Sequence, residues 1–228
     1  MIDIENGSAI LIDKPYTWTS FQTVNKVKHK IKQHYGKKIK VGHAGTLDPL
    51  ATGLLIVCVG KFTKRIEEFQ DLEKEYTGSF TLGATTPSFD LEHPIDQTFP
   101  TEHISEEMIY QAAKELTGKI AQVPPLFSAK WVDGKRAYKL ARENNKEIEL
   151  KPKDIEVKEF EITKIEFPNI YFRIICSKGT YIRSIARDFG LILQSGAYLS
   201  SLCRTKIGNY SINDAIKIEE IDKEFNRV

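Results

Sequence analysis

The segment at 41–56, VGHAGTLDPLATGLLI, carries the residue best suited to chemistry, the carboxylate of Asp48. Glycines and a proline make this stretch rich in turn-forming residues. The apolar run from Leu54 to Val59 that follows predicts a buried strand. A carboxylate on such a loop can act as a nucleophile or as a base. An Asp before a Pro is also a common turn element, so residue types and spacing leave both interpretations open.

Basic residues crowd the chain just before this loop. No acidic residue lies between Asp13 and Asp48, and the interval carries eight lysines: Lys14, Lys26, Lys28, Lys30, Lys32, Lys37, Lys38 and Lys40. A run of like charges is often only a solvated face. Its uninterrupted length here favours a surface that faces the phosphates of a polyanion, whose binding would bring a reactive atom to the carboxylate. The net charge of +2 is less informative than this distribution.

Composition excludes several classes of protein. The chain has 228 residues, of which 41% are hydrophobic and 28% charged, as in a globular protein, and we expect a single domain over residues 1–228. No apolar stretch has the length that a membrane span needs. Three scattered cysteines do not make a disulfide framework, which favours a reducing cytoplasm. The histidines lack metal-ligand spacing, and no phosphate-binding loop or dinucleotide fingerprint occurs, so we expect no metal and no cofactor.

Periodicity and capping residues predict strands and helices that alternate along the chain. Ser20 is the expected N-cap of a helix that ends near Gly36, with its lysines off an apolar stripe formed by Phe21, Val24, Val27 and Ile31. The other expected elements are strands at 9–12, 75–82, 155–167 and 170–176, helices at 105–118, 136–144, 180–194 and 211–215, and a hairpin turn at 133–134. Strands that return through hairpins, with helices between them, predict an α+β domain with a mixed, mostly antiparallel sheet.

Several motifs occur in the order known from one protein family. The string GHAGTLDPLATGLL resembles the signature of the TruB family of tRNA pseudouridine synthases. The other similar segments are LIDKP at 11–15, KEYTGSFTLG at 74–83, VPPLFSA at 123–129, DGKRAY at 133–138, CSKGTYIR at 176–183 and AYLSSLCRTKIG at 197–208. Together they extend over nearly the whole chain. The resemblance departs from the family pattern at Pro87, Trp131 and Cys203, which concerns details of RNA contact.

The resemblance implies the pseudouridine synthase fold, which is α+β with a mixed, mostly antiparallel sheet flanked by helices and loops. It implies isomerisation of uridine to pseudouridine in the T-loop of tRNA, without a metal or a cofactor. Asp48 would be the catalytic residue, Tyr76 would stack on the flipped base and Arg183 would lie opposite Asp48. The full set of implied substrate-binding residues is Lys14, His43, Tyr76, Tyr181, Arg183 and Leu202.

The expected partner is tRNA, through its T-arm stem-loop. We expect a monomer with no obligate protein partner, no membrane attachment and no C-terminal PUA-type domain. Two other functions stay open: an RNA-binding module without chemistry, and a glycoside or nucleoside hydrolase. The presence of Asp48 argues against the module, which could lose this residue freely. Such hydrolases commonly use a pair of acids, and no second carboxylate accompanies Asp48 in its loop.

Overall fold

The computed structural model describes residues 3–127, 131–132, 135–136 and 150–225. The chain divides into two compact units, the first made of Met1–Thr77 and Leu202–Val228 and the second of Gly78–Ser201. The expected hairpin turn at 133–134 and most of the expected helix at 136–144 lie outside the described residues. No helix in the described part of the chain is long and apolar enough to cross a membrane.

The described strands are β1 (Ser8–Lys14), β2 (Val41–His43), β3 (Thr52–Val59), β4 (Lys74–Leu82), β5 (Ala84–Thr85), β6 (Gln97–Thr98), β7 (Gly118–Gln122), β8 (Trp131–Val132), β9 (Lys135–Arg136), β10 (Lys153–Glu166), β11 (Asn169–Cys176), β12 (Ala197–Ile207), β13 (Tyr210–Ser211) and β14 (Ile216–Lys217). The described α-helices are α1 (Ser20–Tyr35), α2 (Ile66–Asp71), α3 (Glu106–Glu115), α4 (Ile182–Ile192) and α5 (Ile221–Phe225). Strands β4 and β12 each run from one unit into the other.

The first unit is built around β3. Its strand order is β14-β1-β3-β12-β4, with β1 antiparallel to β3 and β12 parallel to it. Alternate side chains of β3 enter two different cores: Leu55 and Val57 lie in one, with residues of α1, and Leu54 and Ile56 lie in the other. The predicted buried strand is therefore confirmed, and it is buried on both faces.

Helix α1 packs on this sheet through one face. Val24, Val27 and Ile31 are buried, as their spacing predicts, whereas Phe21 is exposed and does not belong to the stripe. The helix ends before Gly36, whose φ of 66° is the left-handed conformation that glycine adopts freely. Most of the lysines of α1 lie on its exposed face.

The N-cap of α1 differs by one residue from the prediction. Thr19 is the N-cap, and its side chain accepts a hydrogen bond from the backbone N–H of Gln22, whose own side chain bonds back to the Thr19 backbone. This reciprocal pair is a capping box, which needs Gln or Glu three residues after the cap. Ser20 is the first helical residue, so its hydroxyl is available for a contact elsewhere.

The second unit has a mainly antiparallel sheet with an aromatic core. Its strand order is β12-β4-β11-β10-β7, and β10 is antiparallel to both β11 and β7. The rings of Phe80, Phe160, Phe172 and Phe189 pack together with centroids 4.3–6.2 Å apart. The α+β class with a mixed, mostly antiparallel sheet is confirmed.

Three of the predicted helices differ in detail from the observed elements. Ser105 caps α3 as expected, but α3 ends at Glu115 and Gly118 already begins β7. Thr180 is not the N-cap of α4, because its hydroxyl donates to the carbonyl of Ser177 and closes the preceding turn. The helix predicted at 211–215 is a single 3-10 turn at Ile212–Asp214.

Candidate active site

Asp48 lies in the loop between β2 and β3, and it is half-buried. The backbone N–H of Ala44 donates to the carbonyl of Ile56 at 2.9 Å, which continues the pairing of the two strands into the start of the loop. The N–H of Ala51 donates to the carbonyl of Asp48 at 3.1 Å and closes a turn. The carboxylate is therefore carried on an ordered turn at the end of a buried strand.

Lys14 anchors the residue after Asp48. It is 0% exposed, and its ammonium group donates to the carbonyls of Pro15 at 3.0 Å, Trp18 at 2.6 Å and Pro49 at 3.3 Å. Burial lowers the pKa of Lys14 to about 8, and attraction to Asp48 opposes that fall. Lys14 is thus a buried cation whose charge acts on Asp48. Its burial favours a positioning role over direct contact with substrate.

Arg204 anchors both ends of the same loop. Its guanidinium, 1% exposed, donates through Nε to the carbonyl of Leu54 at 2.8 Å and through Nη2 to that of Gly45 at 3.1 Å. Gly53 has a φ of 101°, and a Cβ atom there would lie 2.4 Å from the Arg204 carbonyl oxygen. Only glycine therefore lets β3 approach β12 this closely. The sequence analysis missed the role of Arg204, because nothing in the local sequence AYLSSLCRTKI indicates that this arginine is buried.

His43, at the end of β2, is half-buried. Burial lowers its pKa, and the positive charge of Arg204 lowers it further. The imidazole is therefore biased towards its neutral form, which can both donate and accept a hydrogen bond. This state suits a hydrogen bond to a neutral polar group better than attraction to an anion.

Two predicted pocket residues lie on the strands that leave the first unit. Tyr76, in β4, is 8% exposed, so stacking on a base would need its ring to be uncovered. Leu202, in β12, is half-buried, and its carbonyl accepts a hydrogen bond from the Thr52 hydroxyl at 3.3 Å. Leu202 thus lies next to the strand that follows the Asp48 loop.

Arg183 belongs to the second unit, in the first turn of α4 as predicted. It is 4% exposed, and its Nε lies 3.6 Å from a carboxylate oxygen of Asp90. Its other nitrogens donate to the carbonyls of Ser88 at 3.2 Å and Phe127 at 2.9 Å, and the Ser88 hydroxyl donates to Asp90 at 2.6 Å. Asp90 was not among the predicted site residues; the signal was an acid retained where the preceding motif departs from the family.

Tyr181 precedes α4 and is held by its backbone. The amide side chain of Gln122, which is buried, accepts from the Tyr181 N–H at 2.8 Å and donates to the Tyr181 carbonyl at 3.2 Å. These two hydrogen bonds fix the backbone of Tyr181 and leave its ring half-buried.

The first unit thus assembles Asp48 with three basic side chains, Lys14, His43 and Arg204. The second unit assembles Arg183 and Asp90 as a buried ion pair. The position of Arg183 opposite Asp48 stays a prediction, because the two residues belong to different units. Among the described residues, no group of three or more His, Cys, Asp and Glu side chains could hold a metal ion.

The fold is similar to solved pseudouridine synthase structures. One is Cbf5 in a Cbf5-Nop10-Gar1 complex, with a TM-score of 0.72, 29% identity and coverage of 96% of this chain and 54% of that chain. Another is the H/ACA RNP bound to a substrate RNA containing 2'-deoxyuridine, with a TM-score of 0.68, 27% identity and coverage of 96% and 53%. The chain spans about half the length of these solved chains.

Sequence relatives define the family. Residues 30–182 match the profile of the TruB family pseudouridylate synthase (N terminal domain), and the chain belongs to this family. It is 56% identical to tRNA pseudouridine synthase B of Flavobacterium johnsoniae over 214 aligned residues, and the alignment covers 93% of each protein. It is 53% identical over 219 residues to tRNA pseudouridine synthase B of Phocaeicola vulgatus, which covers 96% of this chain and 93% of that protein.

Proposed function

We propose that this protein isomerises uridine to pseudouridine in the T-loop of tRNA, at the position that its family modifies. The observation that carries the proposal is the setting of Asp48: a half-buried carboxylate inside the family signature, on a loop fixed by buried side chains, with the charge of Lys14 acting on it. Family membership and the names of the relatives support the same reaction. The cytoplasm, where tRNA is modified, is the proposed location.

The reaction breaks the bond from ribose C1′ to uracil N1 and joins C1′ to C5 of the same base. The proton on C5 is lost to solvent and N1 gains a proton, so nothing is oxidised and no water is consumed. Asp48 acts beside C1′, either as a nucleophile or as the base that forms a glycal. It must be ionised in both cases.

The target uridine has to leave its stack to reach this carboxylate. Flipping a base costs a few kcal/mol, and stacking on an aromatic ring returns about 1–3 kcal/mol. Tyr76 is the proposed stacking residue, and Tyr181 and Leu202 are further proposed substrate-binding residues. His43 and Arg183 complete the proposed set, His43 as a contact to the T-loop.

The test is tritium release from tRNA transcripts labelled at carbon 5 of uridine. We expect release by the wild-type protein from whole tRNA and from a T-arm stem-loop, and no release by Asp48→Asn, because an amide can act neither as the nucleophile on C1′ nor as the base that removes the C2′ proton to form a glycal. Asp222→Asn is the matched control, since it changes an exposed carboxylate that pairs with Lys30; surface pairs contribute about 1 kcal/mol or less.

Other results of the same assay would indicate one of the two alternative functions. An RNA-binding module would bind the transcript without releasing tritium, and a hydrolase would liberate free uracil. Residual turnover by Asp48→Asn above about a hundredth of the wild-type rate, with purity verified, would remove Asp48 from the catalytic role.

A further inference from the structure

The hydroxyl of Ser20 makes two hydrogen bonds to the residue that precedes Asp48. It accepts from the backbone N–H of Leu47 at 2.9 Å and donates to the carbonyl of Leu47 at 3.0 Å. That carbonyl belongs to the peptide bond that joins Leu47 to Asp48. Ser20 and Leu47 are 2% and 3% exposed, so water does not compete for these bonds.

Ser20 is well placed to act as a rigid anchor. It is the first residue of α1, and Val24, Val27 and Ile31 of the same helix pack into the core of the first unit. A buried helix cannot shift without disturbing close-packed neighbours. The backbone just before Asp48 is therefore tied to the core by this serine.

A serine at a helix start ordinarily caps its own helix. That need is already met here, because Thr19 is the N-cap and shares a capping box with Gln22. The Ser20 hydroxyl is directed to a loop 27 residues further along the chain. Its two bonds thus serve the loop and are not required to start the helix.

We propose that Ser20 is a positioning residue that holds the Asp48 backbone in the orientation needed for its reaction with the ribose; the proposal rests on the function proposed above. The hydrogen bonds of Ser20 go to the Leu47 backbone and not to the Asp48 carboxylate. It acts through Leu47, and together with Lys14 on Pro49 it fixes the residues on both sides of Asp48.

Substitution of Ser20 by Ala removes both bonds and one oxygen atom. The Leu47 N–H and C=O, now buried without this partner, will draw the loop towards other partners or water. A catalytic group displaced by about 1 Å can lose a hundredfold in rate. Tight substrate binding depends on a much larger surface, so the loss falls on turnover.

The experiment compares Ser20→Ala with Thr23→Val. Thr23 lies on the same helix and is 0% exposed, and within the described residues its hydroxyl donates to the carbonyl of the N-cap Thr19 at 3.3 Å. We expect kcat for a T-arm stem-loop to fall at least about tenfold in Ser20→Ala, with KM within about threefold of wild type. Thr23→Val should keep kcat. Hydrogen exchange of the Leu47 amide should be about tenfold faster in Ser20→Ala only.

Amide exchange keeps the two proposals separable. If the wild-type protein released no tritium, the proposed function would fail, and unchanged Leu47 exchange in Ser20→Ala would overturn the anchor independently. Wild-type kcat in Ser20→Ala would also overturn it. If Ser20→Ala does not fold, Ser20→Thr, which keeps the hydroxyl, replaces it. Protection of the Leu47 amide from exchange and kcat must then be retained together or lost together. Loss of one without the other contradicts the proposal.

Discussion

Activity is expected to fall as the pH rises through about 8, because Lys14 then loses its charge. Burial lowers the pKa of Lys14 from 10.5 to about 8. At pH 9 about one molecule in ten would keep the ammonium form, by the definition of the pKa. The neutral amine has two N–H bonds for three carbonyl acceptors, so it holds the backbone beside Asp48 less firmly. We expect the single-turnover rate to fall about tenfold between pH 7 and pH 9.

Stability should respond in the opposite direction. The pKa of Lys14 in the folded protein is below its value of 10.5 in the unfolded chain, so the folded state binds fewer protons between pH 8 and 10.5. Its contribution to the free energy of unfolding therefore rises with pH across this window. The whole change is roughly 3 kcal/mol, at about 1.36 kcal/mol per pH unit. Below pH 8, Lys14 is charged in both states and its unfavourable contribution is constant.

Two measurements over a range of pH test this in the wild type and in Lys14→Met. Single-turnover tritium release gives the rate, and urea denaturation gives the free energy of unfolding. Methionine has a similar length and no titrating proton. We expect Lys14→Met to be slow at every pH and to lack the alkaline decrease. The difference in unfolding free energy between the two proteins should move in favour of the wild type above pH 8. A flat wild-type rate between pH 7 and pH 9, or the same alkaline limb in Lys14→Met, would refute the assignment.

Three further predictions concern other parts of the molecule. Tyr76→Leu should lower turnover more than tRNA affinity, because the ring stacks on the base only after flipping, and Tyr76→Phe should have a smaller effect. Single-turnover rates and filter binding check this. A largely unfolded Tyr76→Leu whose folded fraction is fully active would indicate a core residue instead. Gly53→Ala should lower the free energy of unfolding by about 2 kcal/mol or more, because its Cβ would lie 2.4 Å from the Arg204 carbonyl oxygen. Gly36→Ala, with nothing within 4 Å of its Cβ, should cost only about 1 kcal/mol, and equal losses in urea titrations would contradict the clash. Affinity for tRNA should fall steeply with salt and weaken with Lys→Gln changes at 26–40 through counterion release; a flat plot of log affinity against log salt would leave the basic segment as a solvated face.

The sequence predicts local features of this protein well. The buried strand β3 follows from its continuous apolar run, and the apolar stripe of α1, apart from Phe21, follows from helical periodicity. The N-cap of α1 was placed one residue late, since Thr19 and Ser20 are both capable of capping and only the partner Gln22 decides between them. Boundaries of this kind depend on competition between adjacent hydroxyls.

Contacts that hold the site were not predictable in the same way. Lys14 bonds to a carbonyl 35 residues away, and Arg204 bonds to one 159 residues away. Local periodicity carries no information about such partners, which depend on the order of strands in the sheet. Arg183 and Asp90 likewise lie far apart in the chain, so an arginine on a helix gave no indication of its buried partner.

The two buried faces of β3 restrict how the site can change in evolution. Each side chain from Leu54 to Val57 enters one packed core or the other, and a change of even one or two methylene groups in a packed core costs about 1–3 kcal/mol. The end of the Asp48 loop that joins β3 is therefore nearly invariant in position. Adjustment of the Asp48 carboxylate is left to the side chains that contact the loop from other elements, Ser20, Lys14 and Arg204. Substitutions at those three positions should shift the carboxylate while β3 keeps its place in the sheet.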